Sequence, residues 1–302
     1  MANVTPLFKK GKHNIPSNYR PVSLTSIVCK MLETHIRNAI VKHIKEHKLI
    51  KESQHGFMSG KSCLTNLLEF LELVTKYVDE GHPVDAIYLD FSKAFDKVPH
   101  KRLVKKVEAH GIIGKINIWV EEWLSNRSQR VVLNGKCSDW AAVTSGVPQG
   151  SVLGPVLFLV YINDIDKNIT SHILKFADDT KIFRATSNEN DVFSLQNDLQ
   201  TLIEWSAEWQ MLFNADKCKS IHYGYNNPRH VYNMGGQQLQ QVNQEKDLGV
   251  IITDNLKYGK QCATAAQKAN KILGIINRSI TYKDKKYQHI REGPEKSYED
   301  DT

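Results

Sequence analysis

The residues with the most chemistry to offer are two adjacent carboxylates, Asp178 and Asp179, inside "ILKFADDTKIF" (residues 173–183), with apolar and β-prone residues on both sides. A third, Asp90, lies near the end of another β-like run, "AIYLDF". An Asp pair alone is commonly a solvated turn, because Asp favours turns. Two strands of one sheet that end in carboxylates are a different matter, since like charges brought together repel unless a cation neutralises them. That is a magnesium site in outline, because Mg2+ takes a few carboxylates and leaves its other positions to water and phosphate oxygens. Two such ions about 3.5–4 Å apart can activate an attacking hydroxyl and stabilise the leaving oxygen of an in-line phosphoryl displacement. Polymerases and nucleases share that arrangement, and the spacing of the aspartates does not choose between them.

These carboxylates need strands to carry them and helices to back the strands. Apolar residues recur at helical spacing from Ile27 to Ile50 and again from Leu64 to Val78, which predicts two amphipathic helices joined by the loop "SQHGFMSGKS". "VDAIYLDF" reads as a strand, and the stretch from Lys101 to His110 as a helix capped by Gly111. A helix around "INIWVEEWLSN" comes next, then a strand "QRVVLNG" that closes on Asn134-Gly135, with a return strand expected over Trp140–Thr144. "SGVPQGSVLGPVLFLVYINDI" joins a Pro/Gly loop to an apolar core helix, and "ILKFADDTKIF" reads as two strands meeting at Ala177-Asp178-Asp179. Further on come a helix from Asp191 to Trp209, strands in "KSIHYGY" and "KDLGVIIT", and a last helix from Gln261 to Ile280. Strands and helices alternate irregularly, which favours an α+β fold over a doubly wound one.

The chain has 302 residues, 41% of them hydrophobic, and a net charge of +7. The basic excess is concentrated: residues 1–61 hold eleven Lys and Arg against three Glu. Such a cluster fits contacts with a phosphate backbone. The five cysteines are scattered, never spaced as CxxC, and read as reduced thiols, not as a zinc site or a disulfide framework. Of the twelve histidines only His43 and His47 stand four apart, and no histidine metal site is expected. No signal peptide is apparent, and the longest apolar run, from Val152, is too short for a bilayer and is interrupted by Gly154 and Pro155. An intracellular location, nucleus or cytoplasm, with no membrane association, is the expectation.

Seven ordered segments carry a resemblance. "AIYLDFSKAFDKVPH", "SGVPQGSVLGPVLFLVYINDI", "FADD", "NADKCKSIHYG" and "DLGVIIT" closely resemble the successive palm motifs of reverse transcriptases from non-LTR retrotransposons, most like the jockey group. Upstream, "VTPLFKKGKHNIPSNYRPVSLTSIVCKMLE" and "QHGFMSGKSC" resemble that family's fingers motifs, and the likeness runs from about residue 3 to about residue 286. The resemblance implies a right-hand polymerase with an antiparallel palm sheet packed on helices. Fingers would occupy residues 1–83, the palm 84–235, and the primer grip with the start of an incomplete thumb 236–282. The polar, acidic tail over 283–302 has the composition of a disordered end. The implied activity is RNA-directed DNA polymerisation, adding dNTPs to a DNA primer on an RNA template with two Mg2+ ions, for which Mn2+ is a possible substitute.

Carried over residue by residue, the resemblance makes Asp90 and Asp178 ligands of both metals, with the backbone carbonyl of Phe91 as a further ligand. Asp179 completes the triad beside the primer 3′ hydroxyl. Phe95 would lie under the incoming sugar and exclude a 2′ hydroxyl, the group that separates ribonucleotides from deoxyribonucleotides. Gln149 would contact nucleotide or template, and Gly150 would leave room for the nascent pair. Lys217 corresponds to a lysine able to protonate departing pyrophosphate. Arg20 and Lys61 are candidates to hold phosphate, with more weight on Lys61 because Met58 stands where the family usually has a basic residue. Leu248 and Gly249 would form the primer grip, and Tyr223, Tyr225 and Trp209 could stack on bases or simply pack in the core. Relatives of this kind carry an endonuclease ahead of the polymerase and a longer thumb behind it, so the chain reads as a truncated copy. The alternative to an active polymerase is an idle remnant that at most binds nucleic acid.

Overall fold

The computed structural model describes residues 1–280. In chain order these form strands β1 (Ala2–Phe8) and β2 (Tyr19–Leu24), helices α1 (Ile27–Glu46) and α2 (Cys63–Asp79), strand β3 (Val84–Leu89), and helices α3 (Ala94–Lys97), α4 (His100–Ala109) and α5 (Lys115–Leu124). Strands β4 (Ser128–Leu133), β5 (Lys136–Cys137) and β6 (Ala141–Ala142) precede helix α6 (Gly154–Ile162). A hairpin of β7 (His172–Phe176) and β8 (Asp179–Ala185) is followed by α7 (Glu189–Glu208) and β9 (Lys219–Tyr223). Short strands β10 (Asn233–Met234), β11 (Gln237–Gln238) and β12 (Gln240–Gln241) come next, then the hairpin β13 (Gln244–Asp247) and β14 (Val250–Thr253), and finally α8 (Gly259–Ser279).

Side-chain alternation along β3 sets the layering. The central sheet runs β12-β9-β3-β8-β7, antiparallel except where β12 joins β9 in parallel. Val84 and Ala86 point to one face with Phe183, Ile221 and Tyr223, and Leu67, Phe70 and Val74 of α2 pack over them. The Phe70 ring meets Phe183 edge-on with centroids 4.9 Å apart. Ile87, Leu89 and Ile182 point to the other face, into a larger core built from α4, α6 and α7. Helix α6 is apolar all round and all but one of its residues are buried, as a helix enclosed on every side requires.

Local chemistry fixes where the helices begin and end. A reciprocal capping box starts α2: Ser62 Oγ accepts from Thr65 N at 3.2 Å, and Thr65 Oγ1 accepts from Ser62 N at 2.9 Å. Helix α1 stops at Glu46, short of the Ile50 that periodicity predicts. Lys48 takes φ +50, so Leu49 N reaches back to Ile44 O at 3.0 Å and Lys48 N to Lys45 O at 3.2 Å, a Schellman closure with lysine where glycine is the usual signal. The hairpin at Asn134-Gly135 forms, but its return strand is split into β5 and β6, both paired with β4. A second sheet, β2-β1-β4-β5 with β6 also on β4, was not read from the sequence as strands in its first half. None of the described helices is long and apolar enough to cross a membrane. The tail assigned to residues 283–302 lies outside the described residues.

Two side chains close the N-terminus of α6: Ser151 Oγ accepts from Gly154 N at 3.0 Å, and Glu33 of α1 reaches in from 120 residues away in sequence. Its buried carboxylate accepts from Val152 N at 2.7 Å and Leu153 N at 3.4 Å, while the other oxygen accepts from Trp123 Nε1 at 3.2 Å. Negative charge at a helix N-terminus is favourable twice over, through the hydrogen bonds and through the dipole. Replacing Glu33 by Ala therefore strands three N–H groups and is expected to lower unfolding free energy by about 3 kcal/mol. Glu33→Gln, which keeps an acceptor oxygen, should lose less. Urea melts at constant m-value measure both, and a loss below about 1 kcal/mol for the alanine variant would reject the capping role.

Candidate active site

The turn that carries Asp178 is tight. Phe176 pairs with Asp179, so Ala177 and Asp178 are the whole loop, and Ala177 takes φ +55, a conformation that disfavours any β-carbon by about 1–2 kcal/mol. The loop ahead of α2 braces it. The buried Gln54 side chain accepts from Ala177 N at 3.0 Å and Gly56 N at 2.8 Å. His55 N donates to Lys175 O and Lys175 N to Ser53 O, both at 2.8 Å, so residues 53–55 run beside β7 like an extra strand. Gly56 packs so closely that a β-carbon there would lie 2.3 Å from Ala177 N.

Strand register then assembles the carboxylates. Leu89 pairs with Thr180 and Tyr88 with Lys219, so Asp90, the next residue, stands between Asp179 of β8 and Lys217 at the entry to β9. Lys217 Nζ lies 3.0 Å from Asp90 Oδ1. Asp90 O accepts from Asn214 N at 2.8 Å and Ser92 N donates to Leu212 O at 2.9 Å, with the Phe91 ring stacked on Phe213 between them at 4.4 Å. A cavity of about 170 Å3 opens beside this row, lined by Asp90, Asp179, Lys181, Lys217, Asp247 and Leu248 among others. Leu248 and Gly249 form the two-residue turn of the β13–β14 hairpin, both with positive φ.

Crowding is visible in the acidities. Burial, then the charges of Asp178, Asp247 and Asp90, push Asp179 up to about 6, with Lys181 opposing. Burial and the Asp90 charge also raise Asp178, while its own backbone N–H, Arg20 and Lys9 pull the other way. Arg20 and Lys9 act on Asp96 as well, a carboxyl raised by burial and hydrogen-bonded by Gln149 Nε2 at 3.1 Å. Leu7 pairs with Arg20, which puts Lys9 and Arg20 on one face of the β1–β2 pair. Across from them the loop before α6 is locked to β2: Ser23 N donates to Gln149 O at 2.8 Å, and a β-carbon on Gly150 would lie 2.7 Å from Ser23 O. Among the described residues, no three His, Cys, Asp or Glu side chains close into a ready-made metal cage.

The family described as "Reverse transcriptase (RNA-dependent DNA polymerase)" matches residues 8–276. The chain belongs to the reverse transcriptase family. It is 26% identical over 304 residues to a probable RNA-directed DNA polymerase from transposon BS of Drosophila melanogaster, covering 93% of this chain and 33% of that protein. It is also 26% identical over 309 residues to the RNA-directed DNA polymerase from mobile element jockey of Drosophila funebris, covering 96% of this chain and 34% of that one. The chain thus spans about a third of the curated relatives it matches, and its origin in a mobile element of the non-LTR type accords with both. Among solved structures, apo telomerase from Candida tropicalis aligns with TM-score 0.55 at 13% identity over 85% of this chain and 48% of the other, a likeness of fold.

In this reverse transcriptase domain the residues singled out in the sequence do not all come together. Asp90, Asp178, Asp179 and Lys217 gather at one end of the central sheet, and Leu248 borders the same cavity with Gly249 next in the turn. Phe95 stacks on Phe158 of α6 at 4.3 Å, half-buried, and its carbonyl accepts from Val147 N at the start of the Gln149 loop. Lys61 is engaged elsewhere, 3.0 Å from Glu52 Oε2 and bonded to the Glu52 carbonyl, so any phosphate contact requires that pair to open. Tyr223 is core, its hydroxyl 3.3 Å from Tyr88, and Trp209 packs under Arg102 and Lys106, while Tyr225 is fully exposed. The sequence reading missed Gln54, Gly56, Lys9 and Asp96. A glutamine and a glycine inside "QHGF" were available as a signal, but their contact with Ala177, 123 residues on from Gln54, was not.

A carboxyl raised in the folded protein contributes stability below its unfolded pKa and loses it as pH climbs through the folded value. For Asp179 that loss falls between the ordinary carboxylate range and about 6. In metal-free protein, Asp179→Asn is therefore expected to be more stable than wild type at pH 8, by about 1 kcal/mol after discounting for the water that still reaches one side of this residue in the cleft. The gain should vanish at pH 4. Thermal melts in EDTA across that range test it, and a pH-independent difference would show that the carboxylates do not repel.

Proposed function

We propose that this chain carries the polymerase centre of a retrotransposon RNA-directed DNA polymerase, which adds dNTPs to the 3′ hydroxyl of a DNA primer along an RNA template. The observation that carries the reading is the Lys217–Asp90–Asp179 row with Asp178 at its side, opening on a cavity that the Leu248–Gly249 turn borders. A nuclease needs the carboxylates but has no use for that turn as a rest for a primer end. In this reading residues 1–83 are fingers, 84–235 palm, and 236–282 the primer grip with the beginning of a thumb.

The donor set suits Mg2+, with Mn2+ as a substitute. Three hard carboxylates repel one another in a partly buried cleft and lack a closed protein cage, which matches a metal held by one or two carboxylates and completed by substrate phosphates. Asp90 and Asp178 would hold both ions with the Phe91 carbonyl, and Asp179 would stand beside the primer end. When bound, the ions acidify the primer hydroxyl and neutralise the triphosphate. The chain's own groups do the rest. Lys9 and Arg20, on one face of the β1–β2 pair and within electrostatic reach of Asp178, are suited to the triphosphate, Arg by forked hydrogen bonds and Lys as a point charge. Lys217, paired with Asp90 at the exposed edge of the row, would be the group to give a proton to departing pyrophosphate. Gln149, held by Asp96, fixes the loop against which nucleotide and template would pack.

Extension of a DNA primer on an RNA template with Mg2+ and dNTPs tests the reading. Wild type should extend, and Asp178→Asn should fall about a thousandfold or more, the equivalent of several kcal/mol of lost charge stabilisation. Equal signals from the two would sink the polymerase reading, and salt-sensitive RNA binding without extension would point to the idle remnant.

Phe95 supplies an independent check. With its ring held flat on Phe158, it forms a rigid floor, and Phe95→Val is expected to lower the dNTP over rNTP preference in kcat/KM by about 10- to 100-fold. An unchanged ratio in single-nucleotide extension would remove Phe95 from the sugar contact and leave it a core residue.

A further inference from the structure

Two residues inward from Asp90, on the same face of the central sheet, Tyr88 stands between its registered partners Lys219 of β9 and Lys181 of β8. A buried lysine in a central strand is costly unless its charge is matched. Strand β13 supplies the match. The Asp247 carboxylate pairs with the Lys181 ammonium, both side chains buried, and Glu245 accepts from Lys219 Nζ at 2.6 Å. Glu245 and Asp247 are two residues apart and so point to one side of β13, which spans the row from Lys219 towards Lys181 as alternation along a strand allows. Asp247 is also the residue that opens the Leu248–Gly249 turn, and Lys181 is two residues from Asp179 on the same face of β8.

The hairpin needs such a tie. Among the described residues β13 and β14 pair only with each other, and the backbone ladder to the central sheet ends two residues ahead of them, with β12 on β9 and Val242 N donating to Ser220 O at 2.9 Å. Their other hold is apolar: Leu248, Val250 and Ile252 pack with the α2 cluster. Apolar contact is non-directional and does not set a position along the sheet. An ion pair between fixed partners does.

We propose that the Lys181–Asp247 ion pair, seconded by Lys219–Glu245, is a positioning device that holds the Leu248–Gly249 turn at a fixed place over Asp179 and thereby aligns the primer end. This rests on the polymerase reading above. Both side chains are buried in the wall of the cavity beside Asp179, and the effect assigned to them runs through the hairpin they hold. Lys181 also lies over the Phe70 ring at 4.5 Å, which anchors the ammonium on the α2 side as well.

Three variants separate positioning from mere stability. Lys181→Met strands the Asp247 charge, whereas Lys181→Met/Asp247→Leu leaves no charge unpaired and should recover most of the melting temperature. With positioning at stake, the double variant keeps its KM for dNTP yet loses about tenfold or more in kcat or in KM for primer–template. Asp247→Asn, close in size, should show the same split if the double variant does not fold. Hydrogen exchange in metal-free protein gives a readout without catalysis: amides of the β13–β14 hairpin should exchange about tenfold faster in each variant while the α6 amides stay protected. A double variant with wild-type kcat and primer KM, or hairpin exchange unchanged in all three variants, overturns the proposal. If wild type extends no primer, the polymerase reading fails and the exchange measurement alone decides the tie.

Discussion

Mutual repulsion among Asp90, Asp178 and Asp179 is the constraint around which this fold is arranged. Three carboxylates at one sheet end would drift apart on flexible loops, so each is carried by the stiffest element on hand. Asp90 continues a central strand, Asp179 begins its neighbour, and Asp178 sits in a two-residue turn with no slack. The left-handed Ala177 is the strain this produces, and Gln54 and Gly56 hold it from outside the hairpin. Local strain is thus stored at the site and countered by hydrogen bonds from a loop outside the hairpin.

The positive charges divide by job. Lys9 and Arg20 stand on an exposed hairpin face across from the carboxylates and remain available to a ligand, whereas Lys181, Lys219 and Lys106 are tied down by acidic partners. Lys217 falls between the classes, exposed yet paired with Asp90. A pair at the surface is worth little and exchanges readily, which is what a residue must do if it is to let Asp90 go when cations arrive. Net charge alone hides this division, since the concentrated basic excess of residues 1–61 includes both Arg20, which faces the site, and Lys61, which faces Glu52.

What was legible in the sequence was whatever short-range periodicity records. The Leu195, Leu199, Leu202 stripe of α7, the apolar α6 and the two strands meeting at Ala177-Asp178 all follow from spacing, and all are present. Motif order brought Asp90 to Asp178 across 88 residues, which spacing could not do. What stayed hidden was pairing between distant segments that leaves no periodic trace. Glu33 capping α6, Gln54 bracing the turn and Asp247 answering Lys181 each need the fold to bring them together. A mid-strand lysine in "DDTKIF" was the one visible clue, because a cation in a central strand implies an unseen anion.

Burial is distributed to match. Both faces of the central sheet are covered within the described residues, one by α2 and the hairpin after β12, the other by α4, α6 and α7. Away from the sheet the covering thins. The start of α1 exposes Ile27, Val28 and Met31, and α8 buries none of its residues. Apolar contact is therefore densest around the central sheet that carries the carboxylates and thinnest at the start of α1 and along α8. A cluster of carboxylates needs that bias, because repelling charges relax outward through any soft neighbour, and a close-packed interior is the medium that does not yield.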